Sequence, residues 1–461
     1  MTFAALDSAL LGPLFATAAM ADCFSDTARL GAMIEAEAAL ARAQARSGLV
    51  PEGLAAAVAA VDPGTLDIAA LGTQTAVSGV PTIPFIAAMQ GRLPADLARS
   101  FHKGATTQDI LDTGLVLQLR RALDLVAADL DGILAGLMAM AETHRSTPCV
   151  GRTYGQHAAP LTFGYKVAVW LTGIADAASG LLLVRRRLLV ASLGGPVGTL
   201  ASLGENGPAV LDAFAEELGL GTTPLAWHTL RGRVAETGCW VAVLLGSLAK
   251  MATDVASLAS TEVGEVAEPY VPGRGGSSAM PHKRNPVSST VILAAHAAAG
   301  GHVQTLFNAM AAAHERPAGL WHAEWHAVPM LFGLASGALR EARALAEGLT
   351  ADTARMKANL GLTRGLLFAD AAAARLAGKL GRAEAHALVE HAAGRVRETG
   401  STLRTVLEAD PALQGLRGLT AEMDSVFDRT PAIATAAASA WVDRAVDSAT
   451  AVRAELMGSL T

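Results

Sequence analysis

The alternation of apolar and polar positions along this chain reads as helix almost throughout. Between Asp109 and His144 no proline occurs, and Leu115, Leu119, Leu123, Val126, Leu130, Ile133 and Leu137 recur along one helical face. About 35 residues of helix make a rod of about 50 Å, longer than most globular helices. Similar stretches at 160–192, 234–266, 286–314 and 323–347 predict five long helices in an elongated bundle. Ahead of them, Ser25 or Asp26 is placed to cap a helix that Gly48 and Pro51 end. Shorter helices fill the chain up to about residue 105, and they return after about residue 350, with turns at Gly361, Gly381 and Gly400. No fixed repeat of 30–45 residues runs through the chain, which excludes a solenoid. The expectation is an all-α protein with an N-terminal helical domain (1–108), a central long-helix bundle (109–350) and a C-terminal helical domain (351–461).

Composition supports the helical reading. Of 461 residues, 51% are hydrophobic but only 4% aromatic, and the helix formers Ala and Leu dominate. The net charge of -6 argues against a nucleic-acid binder. No uninterrupted apolar run reaches the roughly 18 residues that a membrane span needs, so no membrane partner is expected. Three scattered cysteines, Cys23, Cys149 and Cys239, offer neither a disulfide framework nor metal-ligand spacing, and point to a reducing cytosol. The stretch Ala9 to Asp22 has the look of a secretory core, but no Lys or Arg precedes it, Asp7 stands in front and Pro13 interrupts it. A cytoplasmic protein is the expectation.

Three polar segments break the packing pattern, and each reads as a loop feeding a long helix. The first is HKGATTQDILDTG, His102 to Gly114, where Thr106 and Asp109 fit a capping box. In the second, GRTYGQHAAPLTFG, Gly151 to Gly164, Pro160 suits a first helical turn. The third is GGSSAMPHKRNPVSS, Gly275 to Ser289, where Asn285 is placed to cap and Pro286 to open the next helix. Helix N-termini attract anions. Charge placement agrees: no Asp or Glu occurs between Glu268 and Glu315, a span with Arg274, Lys283, Arg284 and four histidines. None occurs between Glu142 and Asp176, a span with Arg145, Arg152 and Lys166. A small molecule with several negative charges is the partner this pattern suits.

SSAMPHKRNP resembles the fingerprint loop of the fumarase/aspartase superfamily, which includes fumarase, aspartase, argininosuccinate lyase and adenylosuccinate lyase. GATTQD and GRTYGQHAAP resemble its two other short regions, and Gly361 to Val389 resembles its C-terminal domain. The resemblance therefore covers nearly the whole chain. It implies a homotetramer around a shared helical core, with each site built by three subunits and no cofactor. In the loop it implies that Ser277 lies near the proton-transfer position. Lys283 and Asn285 would stabilise an enolate-like intermediate by preorganised donors. Beside them in the loop, Arg274, Ser278, Met280 and His282 would bind substrate. From the first region come His102, Thr106, Thr107 and Gln108. The second supplies Arg152, Thr153 and Gln156 for binding. His157 and Tyr154 join the catalytic candidates, although His157 equally suits a core histidine and Tyr154 a packing role. Arg316 suits a carboxylate and Trp321 the binding site, with a structural part open to both. His322 and His326 are spaced i, i+4, but with no third ligand in view no metal is expected.

Two departures separate members of the superfamily. Its second region usually reads Thr-His, and that histidine pairs with a glutamate five residues after the loop asparagine. Here Tyr154 and Thr290 take those places. The Thr-X-His-Asp run of adenylosuccinate lyase is also replaced, by Ser78, Gly79, Val80 and Pro81. One branch, the lactonising cycloisomerases of aromatic-acid breakdown, is similar through Phe24 to Ala41 and His314 to Trp325. Its tricarboxylate substrate attacks its own double bond, so a relay that activates an outside partner is dispensable. Adenylosuccinate lyase or another polycarboxylate lyase is the alternative. A non-enzymatic structural protein is a third class, and it has no use for Ser277, Lys283 and Asn285 together.

Overall fold

The computed structural model describes residues 3–459, and helices account for most of them. Helix α1 (Asp26–Arg46) starts at Ser25, whose hydroxyl accepts the Ala28 N–H. Helix α2 (Thr107–Thr143) has 37 residues and is about 55 Å long. Its predicted apolar face is its buried face, although Leu115 at the near end is only partly covered.

The segment expected to be helical from Pro160 begins differently. A β-hairpin, β1 (Pro148–Thr153) and β2 (Gln156–Thr162), comes first, and α3 (Phe163–Leu188) starts only at its Thr162 cap. Pro160 therefore sits in a strand opposite Val150, not in a first helical turn. The cause is local. Tyr154 and Gly155 have φ of 52° and 76°, the geometry of a two-residue hairpin turn.

Helices α4 (Gly232–Leu258), α5 (Val287–Ala309) and α6 (Leu320–Gly348) complete the five long rods. Their directions follow from cross-links. Arg231, just before α4, bonds Asp112 near the start of α2, and so does Trp321 of α6. At the other end Arg152 of the hairpin bonds Glu265 beyond α4. There β3 (Val266–Ala267) pairs with β4 (Thr350–Ala351), just beyond α6. The five rods thus run alternately up and down. The last helix, α7 (Thr430–Gly458), packs along α3, α2 and β2. Its Val442, Ala449 and Leu456 belong to the main core. A second, smaller core joins Leu376, Val389, Val396, Leu407 and Met423 of the preceding short helices.

The expectation about apolar length needs correction. By length and composition α3 and α4 are both apolar enough to cross a membrane, at mean hydropathy 1.8 and 1.5. In α3 the single acid Asp176 breaks the run without making the helix polar on average. Only 56% and 50% of those apolar windows are buried within the subunit, so each helix keeps an uncovered apolar face.

Candidate active site

At the start of α2 the capping carboxylate does more than cap. Asp109 accepts the Thr106 N–H at 2.9 Å. Its two oxygens also accept the N–H groups of Gly194 and Gly195, at 2.8 and 2.9 Å, and it lies 2.6 Å from His228 Nε2. One fully buried carboxylate thus joins the helix start to a glycine-rich loop. Gly195 at φ 69° brings that loop close to the Gly104 carbonyl. Arg316 arrives from beyond α5 and donates to Thr106 Oγ1 at 2.9 Å. Thr106 and Thr107 remain partly open to solvent, and Glu37 holds His102 beside them. These groups make one corner rich in hydrogen-bond donors.

Gln108 and Trp321, expected to meet substrate, point inward instead. Gln108 is buried and donates to Asp112 and to the His228 carbonyl. Trp321 Nε1 donates to Asp112 at 3.0 Å. Asp112 belongs to a buried ionic triad. Arg231 reaches its Oδ2 at 2.7 Å and Glu324 Oε1 at 2.9 Å. Burial, with the neighbouring Asp112 charge, raises the Glu324 pKa, and the Arg231 guanidinium opposes that shift. A charge set of this kind stands only when every member is paired. Both side chains support the corner from behind.

The other two regions lie at the far end of the bundle. Arg152 makes a two-pronged pair with buried Glu265, at 3.0 and 2.6 Å, and Asn359 joins the same carboxylate. Arg274 pairs with Glu341 of α6 and bonds Ser288. Two cations expected to hold substrate therefore anchor the hairpin and the loop within this subunit. Thr153, Tyr154 and Gln156 stand exposed at the hairpin tip. The His157 pKa is lowered by burial and by the Arg152 charge, so its imidazole is neutral near pH 7. Its buried Nδ1 has no partner among the described residues.

The loop is pinched at its base. Asn285 N–H donates to the Gly275 carbonyl at 2.9 Å, and a Cβ on Gly275 would come within 2.6 Å of the Asn285 carbonyl oxygen. Only glycine fits there, at φ 69°. Ser277 Oγ accepts from Met280 N–H at 3.2 Å, a turn inside the loop. Ser278, Met280, His282, Lys283 and Asn285 project outward and exposed, while Arg284 lies over the Tyr270 ring. The expected caps of the next helix are not the working ones. Asn285 precedes the N-cap position, Pro286 occupies it, and the carboxylate of Glu268 receives the N–H groups of Ser288 and Ser289. Proline leaves no side-chain acceptor there, so a distant acid supplies it. Among the described residues, the Thr290 hydroxyl donates only to the Pro286 carbonyl at the start of its own helix.

Two clusters result, and within one chain they do not meet. His102, Thr106, Thr107 and Arg316 are at one end of α2. The hairpin and the Ser277 loop are at the other, about 55 Å of helix away. Among the described residues no group of three or more His, Cys, Asp or Glu is arranged for a metal. His322 meets Trp321 edge-on and Trp325 at a tilt, and His326 meets His302 edge-on. The sequence reading missed His228, Arg231, Glu37 and Glu265. It also passed over the Gly194–Gly195–Gly198 run, a glycine signal that was there to be read.

The chain belongs to the lyase family, which it matches over residues 15–301, and so to the superfamily its motifs resemble. Residues 365–445 match the family described as adenylosuccinate lyase C-terminus. It is 46% identical to a 3-carboxy-cis,cis-muconate cycloisomerase from Pseudomonas aeruginosa, over 95% of each chain. It is 44% identical to a nitrosuccinate lyase from Streptomyces davaonensis, over 96% of this chain and 95% of that one. The crystal structure of 3-carboxy-cis,cis-muconate lactonizing enzyme from Pseudomonas putida superposes with a TM-score of 0.89 at 43% identity, covering 95% of this chain and 98% of that one.

Proposed function

We propose that this protein is a 3-carboxy-cis,cis-muconate cycloisomerase that closes the substrate to 4-carboxymuconolactone, in protocatechuate breakdown. The observation that carries the reading is a complete loop, Ser277 through Asn285, opposite a second region and helix where Tyr154 and Thr290 replace an acid–base pair. The relatives of that name support it. In this reaction a carboxylate oxygen of the substrate forms a C–O bond to its own diene. The displaced π electrons move onto the neighbouring carbon and its carboxylate, and one proton then arrives at that carbon. Nothing leaves and no outside nucleophile is activated. We assign Lys283 and Asn285 to the charge that accumulates and Ser277 to the proton transfer. Purified protein should abolish the ultraviolet absorbance of the diene. Unchanged absorbance, together with cleavage of adenylosuccinate, would refute the assignment. The Streptomyces relative, almost as similar, supports a second reading in which nitrosuccinate is cleaved. Incubation with both compounds separates the two.

The same reading includes a homotetramer with shared sites, working in the reducing cytosol that suits three free cysteines. The separation of the two clusters along α2 and the uncovered apolar faces of α3 and α4 support assembly. Lys283→Ala and Arg316→Ala change opposite ends of the helical bundle. Each variant alone should be nearly inactive. Refolded together, they should recover a fraction of wild-type activity, because some mixed sites receive neither change. Mixed tetramers no more active than either parent would rule out shared sites.

A further inference from the structure

Glu37 lies in the middle of α1, on the face that packs into the core, and is only 2% exposed. A carboxylate there needs a cationic partner. Its recorded partner is His102, whose Nδ1 lies 2.5 Å from Oε1. Two more links hold this stretch against α1 and the turn after it. Gln44 donates to the Lys103 carbonyl at 2.6 Å, and Lys103 Nζ donates to the Leu49 carbonyl at 2.8 Å. The backbone of His102 has φ 59°, a conformation unfavourable for a residue with a Cβ. Strain of this kind persists where the surroundings over-determine it.

The ring is thereby oriented. Nδ1 faces the buried carboxylate, while Nε2 has no partner among the described residues and the side chain keeps 14% exposure. Four residues on, Thr106 caps α2 and meets Arg316. We propose that Glu37 is a positioning residue for substrate binding: it orients His102 and keeps it cationic, so that Nε2–H is a fixed donor to a substrate carboxylate at the α2 corner. The proposal rests on the reading that this corner binds a polycarboxylate.

The charged groups facing the ring are few. Glu37 comes from α1 and Asp109 from α2, while Lys103 turns to Leu49 and Arg316 to Thr106. Burial disfavours the cation, but the Glu37 hydrogen bond and charge, with help from Asp109, outweigh it and raise the His102 pKa. A raised value means the cation persists above the ordinary midpoint of about 6.5 and disappears as pH climbs through the folded value.

The test uses the full-length protein with ¹³C-labelled histidine, the His102 signal being identified by its loss in His102→Asn. In wild type the His102 signal should titrate above about 6.5, and Glu37→Gln should lower that midpoint by roughly one unit or more. At pH 7.5 Glu37→Gln should bind tricarballylate about tenfold more weakly, recover at pH 6, and leave kcat on the muconate within about threefold. Glu37→Asp, which keeps the charge, should retain most of the binding. A purely structural Glu37 predicts a pH-independent loss that tracks melting temperature, and that result would overturn the proposal. So would a wild-type midpoint at or below the ordinary value, which is decisive even if Glu37→Gln does not fold. Protein that leaves the muconate untouched yet shows the shifted titration and pH-reversible tricarballylate binding refutes the reaction and retains Glu37.

Discussion

Lys283→Ala should lower kcat/KM by about 10³-fold, with kcat falling and KM rising together. The ammonium attracts the bound carboxylate in the ground state and more strongly once charge accumulates on it. Removing it therefore weakens both states, the transition state more. Ser277→Ala should behave differently. It removes a proton carrier and little binding energy, so kcat should fall about 10²-fold while KM stays nearly unchanged. Neither change should move the melting temperature much, because Lys283 is exposed, Ser277 bonds within its own loop, and that loop adds nothing to either core. Steady-state kinetics with a thermal melt on each variant checks all three statements. A fully active Ser277→Ala would assign the proton to another group. His157 is then the first alternative, and because burial and the Arg152 charge disfavour its protonated form, activity that depends on its proton should fall as pH rises through its lowered midpoint. In that case His157→Asn should produce the kcat loss that the serine variant lacked.

Arg231→Met should be the most destabilising single change in the bundle, by roughly 3–5 kcal/mol. The guanidinium is the shared partner of Asp112 and Glu324, which link α2 to α6. Without it Asp112 keeps only its neutral donors Gln108 and Trp321, and two buried carboxylates lose their shared cation. Burial already raises the Glu324 pKa, so the variant should take up a proton there and regain part of its stability as pH falls from 8 to 6. Denaturant midpoints at the two pH values give the measurement. A wild-type midpoint at both would mean the triad carries no weight. The glycine loop at 194–195 and the α2 N-terminus, both held by Asp109 a turn away, should loosen with it and weaken substrate binding.

The five long helices were legible because their cause is local and periodic. Apolar residues every three or four positions produce a buried stripe wherever the chain ends up, and the α2 stripe is buried as predicted. Chain punctuation was legible at Ser25, Thr106 and Gly400 for the same reason: a cap is a contact between near neighbours. The hairpin was misread because Pro160 has two uses, a first helical turn or a strand position, and the Tyr154–Gly155 turn chose the second.

The chemistry divides in the same way. The loop's resemblance to the superfamily's fingerprint was legible in the sequence alone, since the residues of one contiguous loop share a neighbourhood whatever the fold. Which cations stay free is a tertiary matter. Arg152 and Arg274 lie in acid-free stretches of sequence, yet Glu265 and Glu341 reach them from segments 113 and 67 residues away. The sequence likewise shows Gln108 as polar and near a motif, but only the crossing of α2 with the 228–231 segment buries it. Helix length decided the rest. A 37-residue rod places the first region far from the other two. Local pattern sets what each segment is, while distance through space sets which segments act together, because charge and hydrogen bonding depend on ångströms and not on sequence separation.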